Sequence, residues 1–319
     1  MSSIQVIGAG AWGTALALQA MRAGASVRLW ARDPTRAAAM ATTRANPHLP
    51  GVALPPDLAV SSVWEAADIV LLAMPMQALR GLAPTLPNGL LVACCKGVEA
   101  QTHLLPLEVL AQIHPARPTC VLTGPNFAAE VARGLPAAAV VAGLDPAARE
   151  AVMAALGTPD FRLYGNDDPI GAQVGGAAKN VVAIAAGAVI GAGLGENARA
   201  ALVTRGLAEL ARLAIALGGR AETVSGLSGL GDLLLTCTGP ASRNFSFGLA
   251  LGQGQAMADI LAARDTVTEG VATAPALVGR ARALGVELPI AEAVAAIVQG
   301  RLTLAEAMRG LLARPQRNE

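Results

Sequence analysis

Residues 4–13, Ile-Gln-Val-Ile-Gly-Ala-Gly-Ala-Trp-Gly, decide the fold. Residues of strand character run into a Gly-x-Gly-x-x-Gly turn, and an alanine-rich helical pattern follows over Gly13–Arg22. In such a turn the first glycine permits a tight bend and the second lets a pyrophosphate approach the backbone. The third lets the helix pack closely on the strand. The stretch therefore predicts a dinucleotide-binding βα unit with Gly8, Gly10 and Gly13 at the cofactor.

The same alternation of strand and helix continues through the first half of the chain. Helical patterns separate seven short apolar runs, which are Ile4–Ile7, Val27–Trp30, Ile69–Ala73, Leu90–Cys94, Cys120–Leu122, Ala138–Val141 and Phe161–Tyr164. This spacing is typical of βαβ units and predicts an α/β fold with a doubly wound, mostly parallel sheet of the Rossmann type.

The pattern changes at Asp168-Pro169, which is suited to be a helix N-cap followed by proline at the first helical position. Only helical patterns follow, interrupted by glycine-rich loops, notably Ser225–Gly231. We therefore expect a Rossmann-type dinucleotide-binding domain over residues 1–167 and an all-helical substrate and catalytic domain over residues 168–319.

Composition limits the possible partners. The 319 residues are 53% hydrophobic and 15% charged, with a formal net charge of +1, so we expect a large core and no nucleic-acid partner. The uncharged run Asn180–Gly195 is shorter than the ~20 apolar residues that a membrane span needs, which favours a buried helix and argues against integral membrane association. The N-terminus lacks a basic signal region, and no Cys-x-x-Cys pair occurs, so a reducing cytoplasm is expected.

The end of the second predicted strand bears on the choice of cofactor. An acidic residue near this position binds the ribose hydroxyls of NAD, whereas a nearby arginine accommodates the 2′-phosphate of NADP. The sequence Trp30-Ala31-Arg32-Asp33 offers both residues. Because Asp33 precedes Pro34 and is suited to cap the next helix, the pattern favours Arg32 as a phosphate contact. We expect NADP or NAD to bind, with NADPH favoured.

Lysine is the best candidate for proton transfer. Lys96 and Lys179 are the only two lysines among 24 basic residues, and no histidine, Tyr-x-x-x-Lys or zinc-ligand pattern offers another group. Lys179 lies within an apolar helical run, where burial is expected to lower its pKa and suit it to general acid–base work. Lys96 follows the strand Leu90–Cys94, at the end of a sheet strand where ligands bind in open α/β folds.

Three further segments carry polar residues suited to bind anions. Residues 123–128, Thr-Gly-Pro-Asn-Phe-Ala, follow a predicted strand and open a helix. In the helical half lie Gly229–Leu233 and Ser242-Arg243-Asn244, where Arg243 is suited to bind a phosphate. Taken alone, the two segments of the helical half are equally compatible with plain loops.

Taken in order, these motifs resemble the NAD(P)-dependent glycerol-3-phosphate dehydrogenase family in its bacterial cytosolic form. The matching stretches are GAGAWGTALA, NPHLPG, CKGVE, TGPNFA, the Lys179-Asn180 helix, SGLSGLGDLLLTC, SRNFSFG and the TEG at Glu269. The resemblance implies a cytoplasmic enzyme, expected to be a homodimer. It would reversibly reduce dihydroxyacetone phosphate to sn-glycerol 3-phosphate for phospholipid synthesis.

The resemblance also assigns roles to individual residues. Lys179 matches the proton donor and acceptor. The substrate-binding positions are Lys96, Gly124, Asn126, Lys179, Asp232, Ser242, Arg243 and Asn244. The cofactor-binding positions are Gly8, Gly10, Ala11, Trp12, Gly13, Arg32, Lys96, Ala128, Arg243, Val267 and Glu269. No metal is implied. The chain departs from the family pattern where Asn126 and Met76 replace serine and Thr268 replaces valine.

Two other functions remain compatible with parts of the pattern. One is a two-domain, lysine-dependent dehydrogenase that acts on a 3-hydroxy acid, although Arg243 and Lys96 favour a phosphorylated substrate. The other is an NADP-binding sensor that has kept the fold and lost the chemistry, against which Lys179 and Asp232 argue.

Overall fold

The chain folds into two units, and one short segment of the second unit is inserted in the sequence of the first. The computed structural model describes residues 2–264 and 268–315. The first unit comprises Met1–Lys96 and Pro106–Ala172, and the second comprises Gly97–Leu105 and Gln173–Glu319. We call Gly97–Leu105 the strap, because it belongs to the second unit although both of its flanks belong to the first. The predicted domain boundary between residues 167 and 168 stays a prediction.

The first unit contains a single mixed sheet among its described residues. Its strands are β1 Ser3–Ile7, β2 Ser26–Trp30, β3 Ala59–Ser61, β4 Ile69–Leu72, β5 Leu90–Ala93, β6 Thr119–Thr123, β7 Ala137–Ala142 and β8 Phe161–Asn166. They lie in the order β3-β2-β1-β4-β5-β6-β7-β8, and neighbours are parallel except for the antiparallel pair β6 and β7. The predicted doubly wound, mostly parallel sheet is confirmed.

Helices connect these strands and bury the apolar faces of the sheet. They are α1 Ala11–Arg22, α2 Pro34–Thr43, α3 Leu79–Leu82, α4 Pro106–Ile113, α5 Ala128–Ala132 and α6 Pro146–Leu156, with 3₁₀ turns at Met76–Ala78 and Ala83–Thr85. The central strands are buried on both faces, as parallel sheets covered by helices require. The order of strands reverses between β1 and β4, and the first βα turn ends beside that point.

Beyond Asp168 the described chain is built of helices and the turns between them. These are α7 Pro169–Gly191, α8 Gly195–Ala216, α9 Ala221–Ser225, α10 Asp232–Cys237, α11 Arg243–Gly252, α12 Met257–Ala262, α13 Glu269–Ala283, α14 Pro289–Val298 and α15 Leu304–Leu312. The predicted cap of α7 is confirmed, since a carboxylate oxygen of Asp168 accepts a hydrogen bond from the Gly171 amide at 2.8 Å.

Most of helix α7 belongs to the second unit. It is long and apolar enough to cross a membrane by length and composition, but 89% of its most apolar window is buried inside the protein. Glycines let it pack closely on α11: a Cβ atom at Gly187 would lie 2.0 Å from the Phe245 carbonyl oxygen. A Cβ atom at Gly248 would lie 1.9 Å from the Ile184 carbonyl oxygen. This close approach fixes α11 against the helix that carries Lys179.

The prediction of a loop over Ser225–Gly231 is wrong. Helix α9 ends at Ser225, and a π-helical turn over Leu227–Gly231 leads directly into α10. The glycines serve close packing instead of a flexible loop, because a Cβ atom at Gly229 would lie 1.9 Å from the Val224 carbonyl oxygen. A Cβ atom at Gly175 on α7 would lie 2.6 Å from the Ser228 carbonyl oxygen. The π turn places Asp232 at the start of α10.

Candidate active site

The glycine-rich turn after β1 has the form that a dinucleotide requires. Gly8 has φ +117°, a left-handed conformation that L side chains rarely adopt. A Cβ atom at Gly13 would lie 1.9 Å from the Gly8 carbonyl oxygen, so this glycine is needed for packing. Gly10 is the N-cap of α1, and a Cβ atom there would meet no atom of the protein within 4 Å. The open backbone at Gly10 therefore fits a bound pyrophosphate at the N-terminus of α1.

Two side chains that the motif analysis did not single out hold this turn in place. The Ala9 carbonyl oxygen accepts hydrogen bonds from the Arg36 guanidinium and, at 3.1 Å, from the amide nitrogen of Asn46. The Asn46 amide nitrogen also donates to the Thr14 hydroxyl at 2.7 Å, and Arg36 donates to the Asn46 carbonyl oxygen at 3.2 Å. Asn46 belongs to the NPHLPG stretch, but its position in the chain gave no physical sign of this contact with the turn.

Arg32 and Asp33 have different surroundings at the end of β2. One Asp33 oxygen accepts hydrogen bonds from the Thr35 amide at 2.9 Å and from the Arg36 amide at 3.4 Å, so this carboxylate caps α2 as predicted. The side chain of Arg32 is exposed. Its guanidinium has no hydrogen-bond acceptor among the described residues.

The other predicted cofactor contacts lie at helix starts. Ala11 and Trp12 open α1 and Ala128 opens α5, and all three are partly buried against the core of the first unit. The indole N–H of Trp12 is buried and has no hydrogen-bond acceptor within the described part of the chain. Glu269 is the first residue of α13. Val267 lies outside the described residues.

The first unit brings three predicted substrate-binding residues together beyond β5 and β6. The Lys96 ammonium donates a hydrogen bond to the Gly124 carbonyl oxygen at 3.1 Å. Gly124 has φ +140°, and a Cβ atom there would lie 3.0 Å from the Ala139 Cα atom. The Asn126 amide nitrogen donates to the Ala138 carbonyl oxygen at 3.1 Å, while its carbonyl oxygen is buried without a donor in the described chain. The side-chain amide of Asn126, which the serine of the family pattern lacks, therefore anchors this residue to β7.

The second unit buries an ion pair at the predicted acid–base residue. The Lys179 ammonium contacts a carboxylate oxygen of Asp232 and donates to the Thr236 hydroxyl at 3.0 Å. Lys179 is 8% exposed and Asp232 is 0% exposed, so the pair is shielded from bulk water. Because an adjacent carboxylate stabilises a positive charge, Asp232 favours the protonated form of Lys179. Burial alone, on which the sequence argument relied, would favour the neutral form.

Thr236 is a contact of Lys179 that sequence reasoning missed. Its hydroxyl donates to the Asp232 carbonyl oxygen at 2.6 Å and accepts from Lys179. It lies four residues after Asp232 on α10, a spacing that places both side chains on one helix face. That spacing was the available signal. The next residue, Cys237, is a buried free thiol. Burial raises its pKa to about 12, so it stays protonated and is not a nucleophile at neutral pH.

A chain of amide hydrogen bonds joins α7, α11 and α13. The Asn244 amide nitrogen donates to the side-chain oxygen of Asn180 at 2.8 Å, and the Asn244 side-chain oxygen accepts from the Gly270 backbone amide at 3.0 Å. A Cβ atom at Gly270 would lie 2.7 Å from the Asn180 carbonyl oxygen. The side chain of Asn244 is therefore buried in a structural network, which leaves its backbone amide for a ligand.

The N-terminus of α11 carries the predicted phosphate-binding residues. The Ser242 hydroxyl accepts a hydrogen bond from the Phe245 amide at 3.2 Å, which makes Ser242 the N-cap. Arg243 follows and is exposed. The backbone amides of Arg243 and Asn244 have no acceptor in the described chain. Free amides at a helix N-terminus beside an arginine suit a phosphate group.

Among residues 2–264 and 268–315, no group of three or more histidine, cysteine, aspartate or glutamate side chains is placed to hold a metal ion.

Comparison with known families decides the classification. Residues 3–149 match the family model described as NAD-dependent glycerol-3-phosphate dehydrogenase N-terminus, and residues 168–309 match the model for the C-terminus of the same family. The chain belongs to the NAD-dependent glycerol-3-phosphate dehydrogenase family. Its activity is that of an NAD(P)-dependent glycerol-3-phosphate dehydrogenase, and NAD(P) is its cofactor.

Individual relatives of the glycerol-3-phosphate dehydrogenase family agree. A protein of Acidiphilium cryptum named as the NAD(P)+ glycerol-3-phosphate dehydrogenase is 60% identical and covers 98% of this chain and 97% of its own length. One of Gluconobacter oxydans with the same name is 52% identical, covering 99% and 98%. The crystal structure of glycerol-3-phosphate dehydrogenase from Coxiella burnetii has a TM-score of 0.94 at 36% identity, covering 98% of this chain and 99% of its own.

Proposed function

We propose that Lys179 is the general acid and base in the reversible reduction of dihydroxyacetone phosphate to sn-glycerol 3-phosphate. The observation that carries this proposal is the buried contact of its ammonium with Asp232 and Thr236. A bound nicotinamide cofactor supplies or accepts the hydride. In the direction of reduction, the Lys179 ammonium polarises the ketone oxygen and protonates the alkoxide as it forms. In the reverse direction, the neutral amine accepts the hydroxyl proton.

The neighbours of Lys179 prepare it for this role. Asp232 keeps the ammonium protonated until the substrate oxygen becomes the stronger base, and it fixes the direction in which Nζ points. Thr236 accepts a hydrogen bond from the same ammonium, so two acceptors on α10 orient Nζ. A lysine held by two fixed acceptors loses little orientational freedom when the reaction begins.

We assign the substrate phosphate to the N-terminus of α11. Arg243 and the free amides of Arg243 and Asn244 would bind the phosphate oxygens, with Ser242 fixing the turn. Lys96, Gly124 and Asn126 are proposed as further substrate-binding residues. We also propose that the open backbone at Gly10 and the residues around it hold the cofactor diphosphate.

The first test measures oxidation of NADPH and of NADH in the presence of dihydroxyacetone phosphate. Two controls replace this substrate: unphosphorylated dihydroxyacetone with the reduced cofactors, and a 3-hydroxy acid with NAD(P)+. We expect rapid turnover with the phosphorylated ketone alone. Lys179→Ala should lower kcat by at least about a thousandfold while the Kd for NADPH, measured by fluorescence titration, stays within about twofold. A Lys179→Ala variant that keeps most of its kcat would exclude Lys179 from proton transfer. Turnover of the 3-hydroxy acid alone would exclude dihydroxyacetone phosphate as the substrate.

We infer that NADPH is preferred over NADH. Support comes from the exposed side chain of Arg32 and from the engagement of Asp33 as a helix cap, because a carboxylate in that role is a poor partner for ribose hydroxyls. Arg32→Ala should raise KM for NADPH about tenfold and leave KM for NADH nearly unchanged. Equal effects on the two KM values would mean that Arg32 does not set the cofactor preference, and Asp33 would be the next residue to test.

We further propose a cytoplasmic homodimer that supplies glycerol phosphate to phospholipid synthesis. The dimer is supported by apolar surface on α15, where Leu312 is 83% exposed beside an apolar groove of about 1070 Å³. Sedimentation velocity at micromolar concentration should give the mass of two chains, and Leu312→Asp should shift it toward one. A wild-type protein that sediments as a single chain across that range would refute the dimer.

A further inference from the structure

A second arginine holds the N-terminal turn of α11. The Arg264 guanidinium donates to the Arg243 carbonyl oxygen at 2.9 Å and to the Ser246 hydroxyl at 3.1 Å. It also lies over the ring of Phe247, with 5.7 Å between the central guanidinium carbon and the ring centroid. Three contacts with one turn of α11 fix this charge in position.

The position of Arg264 concentrates positive charge at one place. Its guanidinium is near enough to Arg243 for the two charges to repel, and this repulsion adds to burial in lowering the pKa of Arg264. Neither guanidinium forms an ion pair with a carboxylate in the described parts of the chain. The N-terminus of α11 adds the partial positive charge of its helix dipole and the free amides of Arg243 and Asn244.

This arrangement is unfavourable without an anion. Two like charges beside a positive helix end raise the free energy of the protein, and a doubly negative group bound there would offset that cost. Contacts that serve only the fold do not require a cation here, because a neutral donor can hydrogen-bond both the Arg243 carbonyl and the Ser246 hydroxyl. The positive charge at this position therefore points to a ligand.

We propose that Arg264 is a specificity-determining residue that supplies a second positive charge to the substrate-phosphate site. The proposal rests on the proposed role of Arg243 in binding that phosphate. Arg264 is held behind the turn by its contacts with the Arg243 carbonyl, Ser246 and Phe247, and its charge raises the affinity of the site for a dianion. It acts on substrate affinity and on the choice between phosphorylated and neutral ketones. It takes no part in proton or hydride transfer.

The test compares Arg264→Met, which removes the charge, with Arg264→Lys, which keeps it. Arg264→Met should raise KM for dihydroxyacetone phosphate about tenfold, with kcat within about twofold of wild type. The inhibition constant of inorganic phosphate, measured in competition with substrate, should rise by the same factor. Arg264→Lys should restore most of both changes. The rate measured with high concentrations of unphosphorylated dihydroxyacetone should be the same in wild type and in every Arg264 variant.

Two further variants separate the possible outcomes. Arg282→Met removes an exposed arginine on α13 and should leave KM and the phosphate inhibition constant at wild-type values. Arg243→Ala should raise KM more than any Arg264 variant; if it does not, the proposed phosphate site itself is wrong. If Arg243→Ala raises KM but Arg264→Met does not, the role of Arg264 is refuted. Equal KM values for the Lys and Met variants would refute it as well, because charge would then make no difference.

Discussion

Gly10 and Gly13 occupy the same turn, but a methyl group would meet very different surroundings at the two positions. At Gly13 it would collide with the Gly8 carbonyl oxygen at 1.9 Å, whereas at Gly10 it would meet no protein atom within 4 Å. Gly10 has φ −77° and ψ −179°, extended backbone that alanine adopts without strain. Gly13 is therefore required for packing, whereas the space beside Gly10 is open to a ligand.

This difference predicts opposite phenotypes for two matched substitutions. Gly13→Ala should lower the free energy of unfolding by at least about 2 kcal/mol, because the backbone atom that it meets cannot move aside. Gly10→Ala should leave stability within about 1 kcal/mol but raise the Kd for NADPH at least about tenfold. Urea unfolding and fluorescence titration measure the two quantities. An unchanged Kd in Gly10→Ala would mean that the diphosphate does not approach the backbone there.

Individual residues show which parts of the candidate site a sequence can reveal. Lys179 stands out as a candidate by elimination, because the chain has only two lysines and this one lies within an apolar helix. Thr236 was missed although its four-residue spacing from Asp232 was visible. Asn46 could not have been found from physical reasoning, because its contact with the glycine-rich turn joins residues far apart in the chain.

Glu209 of α8 takes the place of an N-cap side chain for α14, whose own N-cap residue Leu288 makes no side-chain capping hydrogen bond. Its carboxylate accepts hydrogen bonds from the Ile290 amide at 2.7 Å and from the Ala291 amide at 3.3 Å. Glu209 is 4% exposed, and burial raises its pKa to about 7 despite these hydrogen bonds. Near neutral pH, a carboxylate that caps a helix is thus close to its protonation midpoint.

The raised pKa predicts an unusual dependence of stability on pH. Between the unfolded value of 4.5 and the folded value of about 7, the folded chain binds more protons at Glu209, so its contribution is greatest below pH 4.5. That contribution is lost as pH rises toward 7, by at most about 3 kcal/mol. Glu209→Gln should flatten this decline, as seen in urea midpoints at pH 5, 6 and 7.5.

An exposed carboxylate provides the control for that experiment. Glu222→Gln on α9 should leave the slope of stability against pH as in the wild type. If Glu209→Gln shows the wild-type slope as well, the pH dependence arises from other groups and Glu209 is ionised throughout the range.

The elements also show where pattern analysis succeeds and where it does not. Each of the seven predicted strands is present, and the central strands β4 and β5 are continuous apolar runs that are buried throughout. Strand β3 was missed since its three residues lie partly exposed at the edge of the sheet. The glycines of Ser225–Gly231 predict a loop, but their role in the π turn over Leu227–Gly231 depends on neighbours that the local sequence does not contain.

The strap, which belongs to the second unit although its flanks belong to the first, is a feature that the sequence did not indicate. Within it, His103 adopts φ +59°, which costs a non-glycine residue roughly 1 kcal/mol. The His103 amide donates to the Glu99 carbonyl oxygen at 3.0 Å, and the Thr102 hydroxyl contacts the Glu99 carboxylate. A Cβ atom at Gly279 on α13 would lie 2.3 Å from the His103 ring. The strap and α13 thus fit each other closely.

Because the strap and the helices of the second unit are separated in the sequence, the second unit is encoded by two separate stretches of the gene. This separation limits how related enzymes can exchange this unit by recombination. A single recombination near codon 168 would join this strap to a foreign α13, in which any side chain at the position of Gly279 would collide with His103. A chimaera of residues 1–167 with the helical domain of the Coxiella enzyme should melt several degrees below one in which residues 97–105 are exchanged too. Equal melting temperatures would show that the helical domain can be inherited as one uninterrupted block.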